Sequence, residues 1–399
     1  MSSRVHPATQ AVRAALESDA QHGAVVPPLH LSSNFTFAGF GEKRQYDYTR
    51  SGNPTRDALA DALTQLESGA GAVVTSSGMA SLTLLVQLLN PGDVLVAPHD
   101  CYGGSYRLFR NLANRGQFDV AFVDQTDPDA ISAACARGPK LILVETPSNP
   151  LLRIVDICDM ARRAKACGAL LAVDNTFLSP VLQNPLTLGA DIVLHSTTKY
   201  LNGHSDVVGG AVVSGTAELA ETFAWWANCL GITGAPFDSY LTLRGVRTLH
   251  TRMRQHEESA RKLATALERH PAVDHVYYPG LKEHPQHDLA CRQQLGFGGM
   301  LSFDIAGGAA EVRGFVEGLK YFSLAESLGG VESLVCHPAS MTHSAVDPAA
   351  LARAGIGANL IRLSVGLEDG DDLLADVLEA LERAQRAGRV RSVAAAVGA

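Results

Sequence analysis

Five short aliphatic runs, Asp93–Ala97, Val120–Val123, Leu141–Glu145, Leu170–Asp174 and Ile192–His195, recur along one stretch of the chain. Helical patterns separate several of them, Asp156–Cys167 being a clear case. The runs are aliphatic rather than alternating, the pattern of strands buried on both faces. Such strands, joined by helical crossovers, dictate a largely parallel central sheet and therefore an α/β fold. Just upstream, Arg56–Leu66 reads as a helix and Ala70–Thr75 as a strand, and a second helix, Gly78–Leu89, begins directly after Ser76-Ser77.

The chain has 399 residues, enough for more than one domain. Its character changes near residue 245, where Thr248–Arg269 forms a long amphipathic helix. A smaller α/β region follows, with strands expected at Val273–Tyr278, Met300–Ile305 and Ile361–Ser364 and a closing helix at Asp371–Ala387. The expected organisation is an extended arm over 1–55 with one early helix (Gln10–Gly23), a large domain over 56–247, and a C-terminal domain over 248–399. Ser196–Gly215 and Gly231–Ser239, rich in Gly, Ser, Thr and Asn, read as loops of the kind that border a ligand or a subunit partner. The tail Arg389–Ala399 reads as frayed.

Charge and composition narrow the function. With 33 basic and 41 acidic residues the formal charge is -8, which gives no support for binding nucleic acid or an anionic membrane. The longest apolar stretches are strand-sized, too short to span a bilayer. The N-terminus lacks a long apolar run behind a basic start, so no signal peptide is expected. Seven cysteines without CxxC spacing indicate neither a disulfide framework nor a structural zinc site. A soluble, cytoplasmic protein without a metal is expected.

Four segments carry chemistry. Lys199 lies just past the strand ending at His195, where parallel α/β sheets place their ligands, and its neighbours Ser196 and Thr198 can donate to a phosphate. Taken alone, Lys199 reads as an exposed surface lysine. Asp174 ends the strand Leu170–Asp174; it reads as a helix cap or, if pyridoxal phosphate (PLP) is bound, as the carboxylate that keeps the pyridine nitrogen protonated. Ser77-Gly78-Met79 places a hydroxyl and free backbone N–H groups at a helix start, a ready phosphate cradle, although one such cap is weak evidence by itself. Asn149, in Glu145–Pro150, stands at a strand end and can hydrogen-bond the phenolic oxygen of the same cofactor.

Together with Tyr102-Gly103-Gly104, the motifs Ser77–Met79, Glu145–Pro150, Asp174–Thr176 and Ser196–Tyr200 occur in an order that resembles the PLP-dependent Cys/Met-metabolism family, the transsulfuration group. The resemblance runs from about residue 10 to 385. It implies the PLP-dependent transferase fold (fold type I, aspartate-aminotransferase-like) and a Schiff base between PLP and Lys199. It further implies that Tyr102 stacks over the pyridine ring, that Thr176 belongs to the cofactor site, and that Arg362 clamps the substrate α-carboxylate with help from Ser327. The segment Tyr46–Thr55 matches one that reaches into a neighbouring subunit's site, so Tyr48 and Arg50 are expected to bind the partner's PLP phosphate. At least a dimer with shared sites follows from that match, and the family resemblance implies a homotetramer built from dimers.

Family members carry out γ-replacement, γ-elimination or β-elimination on similar sites. The segment Leu324–His343, with Glu326, resembles the γ-synthase and γ-lyase branch. Asp47 and Arg107 match positions near the distal part of the pocket, where they meet an incoming ammonium group and a distal carboxylate. The expected reaction is γ-replacement of O-succinyl-L-homoserine with L-cysteine, giving L-cystathionine and succinate. The alternative is γ-elimination from L-cystathionine. Cys336 departs from the γ-lyase pattern, with no effect assigned to it.

Overall fold

A computed structural model describes residues 5–342, 351 and 354–397, with side chains described through residue 386. The chain forms two compact units. The first comprises the described residues of Met1–Pro98, Arg107–Glu145 and Asp156–His250; the second comprises those of His99–Tyr106, Thr146–Val155 and Thr251–Ala399.

The first unit is built on a seven-stranded sheet in the order β1-β7-β6-β5-β4-β2-β3. Its strands are β1 (Gly71–Thr75), β2 (Val94–Pro98), β3 (Asp119–Val123), β4 (Leu141–Glu145), β5 (Leu170–Asp174), β6 (Ile192–His195) and β7 (Gly210–Ser214). All adjacent pairs from β6 to β3 are parallel, and β7 is antiparallel to both β6 and β1, so a single strand runs against the rest. Every residue of β4, β6 and β7 is buried. Leu85, Leu95, Phe109, Leu143, Ile192, Val212 and Phe223 form part of one continuous apolar cluster with these strands. Each such side chain contributes roughly 1.5–3 kcal/mol on burial.

Three sequence expectations need correction. The Ser196–Gly215 segment is a loop only in part, because Gly210–Ser214 forms β7. A Cβ at Gly210 would lie 2.3 Å from the Ser77 carbonyl oxygen. Here glycine allows close backbone approach rather than marking a turn. The early helix runs from Pro7 to Arg13 rather than from Gln10 to Gly23. Pro7 opens it in the first turn, and the positive φ of Ala15 and Glu17 prevents it from continuing. Gly231–Ser239 likewise gives way to a helix from Pro236. The elements needed below are α1 (Pro7–Arg13), α2 (Pro54–Glu67), α3 (Gly78–Leu85) and α4 (Gly103–Asn114).

The second unit carries a five-stranded sheet, β10-β11-β12-β9-β8. These strands are β8 (Val273–Tyr277), β9 (Met300–Ile305), β10 (Phe322–Leu324), β11 (Ser333–Cys336) and β12 (Leu360–Ser364). Only β10 and β11 pair in parallel. Helices Ala309–Val316 and Gly370–Val397 supply Phe315, Leu373, Val377 and Leu381 to a core completed by Leu301, Phe303, Ile361 and Leu363. The Phe303 and Phe315 rings meet edge to face at 5.3 Å. The closing helix continues through much of the stretch expected to fray, and residues 398–399 lie outside the described residues.

Candidate active site

In the first unit the site grows from the carboxyl ends of parallel strands and the start of α3. The β5 strand delivers Asp174, whose side chain accepts the Thr176 N–H at 2.9 Å. Thr176 in turn accepts the Ser196 N–H at 2.9 Å, tying the exit of β5 to the exit of β6. After β6 the chain turns through Ser196, Thr197, Thr198 and Lys199, with the Lys199 N–H donating to the Ser196 carbonyl at 3.2 Å. Thr198 accepts from the Gly209 N–H at 2.9 Å and donates to its carbonyl at 3.1 Å. The turn that presents Lys199 is therefore pinned to the strand returning as β7.

Ser77 caps α3 by accepting the Ala80 N–H at 3.0 Å. The first-turn N–H groups of Gly78 and Met79 point out of the helix with no acceptor within it. A Cβ on Gly78 would stand 2.8 Å from the Ser196 Cβ, so the helix start and the β6 exit pack against each other and leave room for glycine alone. The Met79 side chain packs against the apolar core, which leaves only its backbone to face a ligand. Two hydroxyls, Ser77 and Ser196, and a helix N-terminus converge here, a donor set suited to a phosphate.

Desolvation pushes the Asp174 carboxyl above the usual carboxylate range, while the Thr176 hydroxyl, the Thr176 N–H and the nearby His195 pull it down. A carboxylate in that position gains most from a cation placed against it, and a protonated pyridine nitrogen is such a group. Anion cradle, carboxylate and lysine amine lie on one connected set of strand ends, so these residues fit PLP.

Tyr48 and Arg50 are exposed, as Asp47 partly is, in the N-terminal segment of the same unit. The Arg50 guanidinium lies 5.6 Å from the Tyr48 ring centre and donates from Nε to Asn228 Oδ1 at 3.0 Å. Asp47 pairs with Lys43 at 2.6 Å, and hydrogen bonds from Lys43 and the Tyr48 N–H hold its carboxyl below the usual range. Among the described residues, the side-chain partners of Asp47 and Arg50 are Lys43, Ser51, the Tyr48 N–H and ring, and Asn228, none of them in the strand-end cluster. Arg107, on α4, is exposed, and its carbonyl accepts the Asn111 amide.

The second unit gathers the remaining residues. Arg362, buried on β12, donates from Nη1 to Asn149 Oδ1 at 2.9 Å and from Nη2 to the Ser327 carbonyl at 2.8 Å. This leaves the Asn149 amide nitrogen as the end able to donate to a ligand. Ser327 holds a φ of 88°, a left-handed conformation costing on the order of 1–3 kcal/mol for a residue with a side chain. Cys336 is buried on β11 directly across the ladder from Arg362. Tyr102 precedes α4 and is 42% exposed, and Glu326 is also exposed. Of the segment Leu324–His343, His343 lies outside the described residues.

Sequence reasoning missed the groups that hold these residues in place. Asp100 accepts from Arg153 at 2.7 Å and from the Ser148 hydroxyl at 2.9 Å, bracing the loop that carries Asn149. Glu67, Asn175 and His195 form a buried polar cluster behind Asp174 and Ser196. Adjacency to motif residues marks Asn175 and His195 in the sequence, but nothing local marks Glu67. Among the described residues no cluster of His, Cys, Asp and Glu could hold a metal, and no helix is long and apolar enough to cross a membrane.

Comparison with known proteins agrees with this geometry. The family model for Cys/Met metabolism PLP-dependent enzymes matches residues 8–382. The chain is 57% identical over 371 residues to a cystathionine gamma-synthase of Escherichia coli, covering 93% of this chain and 96% of that one. It is 47% identical over 374 residues to a cystathionine gamma-lyase of Bacillus subtilis, covering 94% and 98%. The crystal structure of cystathionine gamma synthase from Xanthomonas oryzae pv. oryzae in complex with aminoacrylate and cysteine superposes with a TM-score of 0.96 at 59% identity, covering 96% of this chain and 100% of that one.

Proposed function

The chain belongs to the Cys/Met metabolism PLP-dependent enzyme family, and from that premise we propose that it is a cystathionine γ-synthase. It replaces the succinate ester group on Cγ of O-succinyl-L-homoserine with the sulfur of L-cysteine, breaking Cγ–O and forming Cγ–S, to yield L-cystathionine and succinate in methionine biosynthesis. The observation that carries this reading is 57–59% identity, across nearly the whole chain, to γ-synthases from two organisms. The γ-lyase reading, cleavage of L-cystathionine to L-cysteine, 2-oxobutyrate and ammonia, rests on 47% identity over a similar span.

Bound PLP supplies an electron sink for the charge that develops at the substrate's Cα and then at Cβ. The protein's own groups do the rest. Ser77, Ser196 and the N–H groups of Gly78 and Met79 would take the phosphate, with Thr176 holding Asp174 and Ser196 in register. Thr198, expected to donate to the phosphate, instead gives its hydroxyl proton to the Gly209 carbonyl and fixes the Lys199 turn. Asp174 would serve the ring nitrogen, and the Asn149 amide of the second unit would serve the phenolic oxygen. Arg362 receives the substrate α-carboxylate in its planar fork, already oriented by Asn149 and the Ser327 carbonyl. The Lys199 amine would take the α-proton, deliver it to the cofactor's imine carbon and, free again, take a β-proton, with succinate leaving Cγ as the free carboxylate. Tyr102 would take the cysteine thiol proton as sulfur adds at Cγ, and Lys199 would return the β-proton to Cβ and then move the first proton from the imine carbon back to Cα. Asp47, Arg107, Glu326 and Ser327 shape the distal pocket and the choice of second substrate.

Tyr48 and Arg50 belong in this reading to the phosphate site of a neighbouring subunit, in a tetramer built from dimers. In keeping with that assembly, the first unit exposes the large apolar side chains Leu31, Phe37, Phe40, Trp225 and Phe237. All seven cysteines are free thiols, which suits a reducing cytoplasm. The test is turnover by the purified holoenzyme. O-succinyl-L-homoserine plus cysteine is expected to yield cystathionine and succinate in equal amounts, much faster than cystathionine alone yields 2-oxobutyrate. The opposite ranking selects the lyase.

A further inference from the structure

A carboxylate at the end of α2 ties together the two strand ends that carry the cofactor chemistry. Glu67 is the last residue of α2 and is fully buried. Its Oε1 accepts the Asn175 amide at 2.9 Å and stands 2.6 Å from His195 Nε2. Asn175 immediately follows Asp174, and His195 immediately precedes Ser196. Gln183 completes the cluster, donating from Nε2 to Asn175 Oδ1 at 3.1 Å, while its carbonyl accepts the Asn175 amide at 2.8 Å. One oxygen thus clamps the β5 exit to the β6 exit from behind.

Stability alone does not select this arrangement. A helix C-terminus is the unfavourable end for a negative charge. Withdrawing a carboxylate and an imidazole from water costs several kcal/mol, and apolar pairs of similar volume often do as well or better. Glu67 Oε2 and His195 Nδ1 are moreover buried without a hydrogen-bond partner. Buried polar clusters kept at such cost are typical of places where geometry must be fixed.

We propose that Glu67 is a positioning residue for the cofactor, acting through Asn175 and His195 to hold Asp174 in register with Ser196 and Lys199. It touches neither substrate nor cofactor. The proposal rests on the reading of Asp174 as the partner of the ring nitrogen. Asp174 would face that nitrogen only if the β5 exit cannot slide against the β6 exit, and the Glu67 clamp adds a buried side-chain tie to the Thr176–Ser196 and Asn175–Leu194 hydrogen bonds that join them.

The experiment loads wild type, Glu67→Leu and Glu67→Gln with PLP labelled with ¹⁵N in the ring, and records the ¹⁵N chemical shift alongside kcat and KM. Wild type is expected to show a protonated ring nitrogen. Glu67→Leu should move that shift toward the unprotonated value and lower kcat by about tenfold or more, the scale on which supporting partners act, with KM changed less than about threefold. Glu67→Gln keeps an oxygen acceptor for both donors and should restore shift and kcat to within about threefold. An unprotonated nitrogen in wild type would overturn the Asp174 reading itself. A protonated nitrogen in wild type that stays unchanged in Glu67→Leu would overturn the clamp alone, as would Glu67→Gln falling as far as Glu67→Leu. Should Glu67→Leu fail to fold, His195→Leu cuts the same tie from the β6 side and must give the same ¹⁵N displacement; no displacement there also overturns the clamp.

Discussion

The strand ends bearing Asp174, Ser196 and Lys199 differ in kind from the positions Asp47, Arg107 and Glu326. The former are half-buried and cross-linked by the Asp174–Thr176–Ser196 chain of hydrogen bonds and the Thr198–Gly209 pair. Arg362, the counterpart group of the second unit, is buried and held from two sides. Arg107 and Glu326 stand in solvent, and Asp47 is tied only to its own segment. Groups that hold a cofactor must be preorganised, because their contribution depends on geometry fixed in advance. Groups that choose between similar second substrates can sit at the rim, where a substitution changes selectivity without disturbing the fold. On the proposed function, the shared chemistry of the family would reside with the buried groups, and the choice between replacement and elimination with the exposed ones.

The sharpest way to break this contrast is Lys199→Ala. It should remove the covalently bound cofactor's visible absorbance and lower turnover by roughly 10⁴-fold, because base and covalent anchor are lost together. A variant retaining both would refute the interior assignment. Next comes Arg362→Ala, expected to cost roughly 10²–10³-fold in kcat/KM, since it deletes a buried charge and strands Asn149 and the Ser327 carbonyl. Arg362→Lys should recover little of this, because an ammonium lacks the fork.

Asp174→Asn probes the interior through pH. Desolvation raises the carboxyl in the cofactor-free protein, so its contribution to stability is fully present below the ordinary carboxylate range and lost as pH rises through the raised value. The cofactor-free variant should therefore melt about 1–3 °C above its parent at neutral pH, with the gap closing on acidification. With PLP bound the order should reverse, because the cation now rewards the charge. Calorimetry of both forms checks the sign. The smallest effect belongs to the rim: Glu326→Leu should alter the ratio of γ-replacement to γ-elimination by about tenfold or less while leaving the cofactor spectrum unchanged. A large spectral change would place Glu326 with the interior group.

Much of this was legible from local pattern. Leu141–Glu145, Leu170–Asp174 and Ile192–His195 coincide with β4, β5 and β6, because fully buried strands announce themselves as uninterrupted aliphatic runs. Three strands, β7, β10 and β11, were not legible. The glycines around β7 resemble loop punctuation until the Ser77 backbone is seen lying against Gly210. The short β11 is defined by its ladder with Arg362 and its neighbours rather than by any run of its own. The motif residues could be named from the sequence, but their supports could not. Glu67 lies 108 residues from Asn175 and 128 from His195, a separation that only the folded chain closes.

Lys199 is the residue proposed to carry the cofactor. Borohydride reduction of the holoenzyme followed by peptide mass spectrometry reads this directly. A phosphopyridoxyl group is predicted on Lys199 Nζ, at one equivalent per chain. The group on any other lysine, or on none, would contradict it.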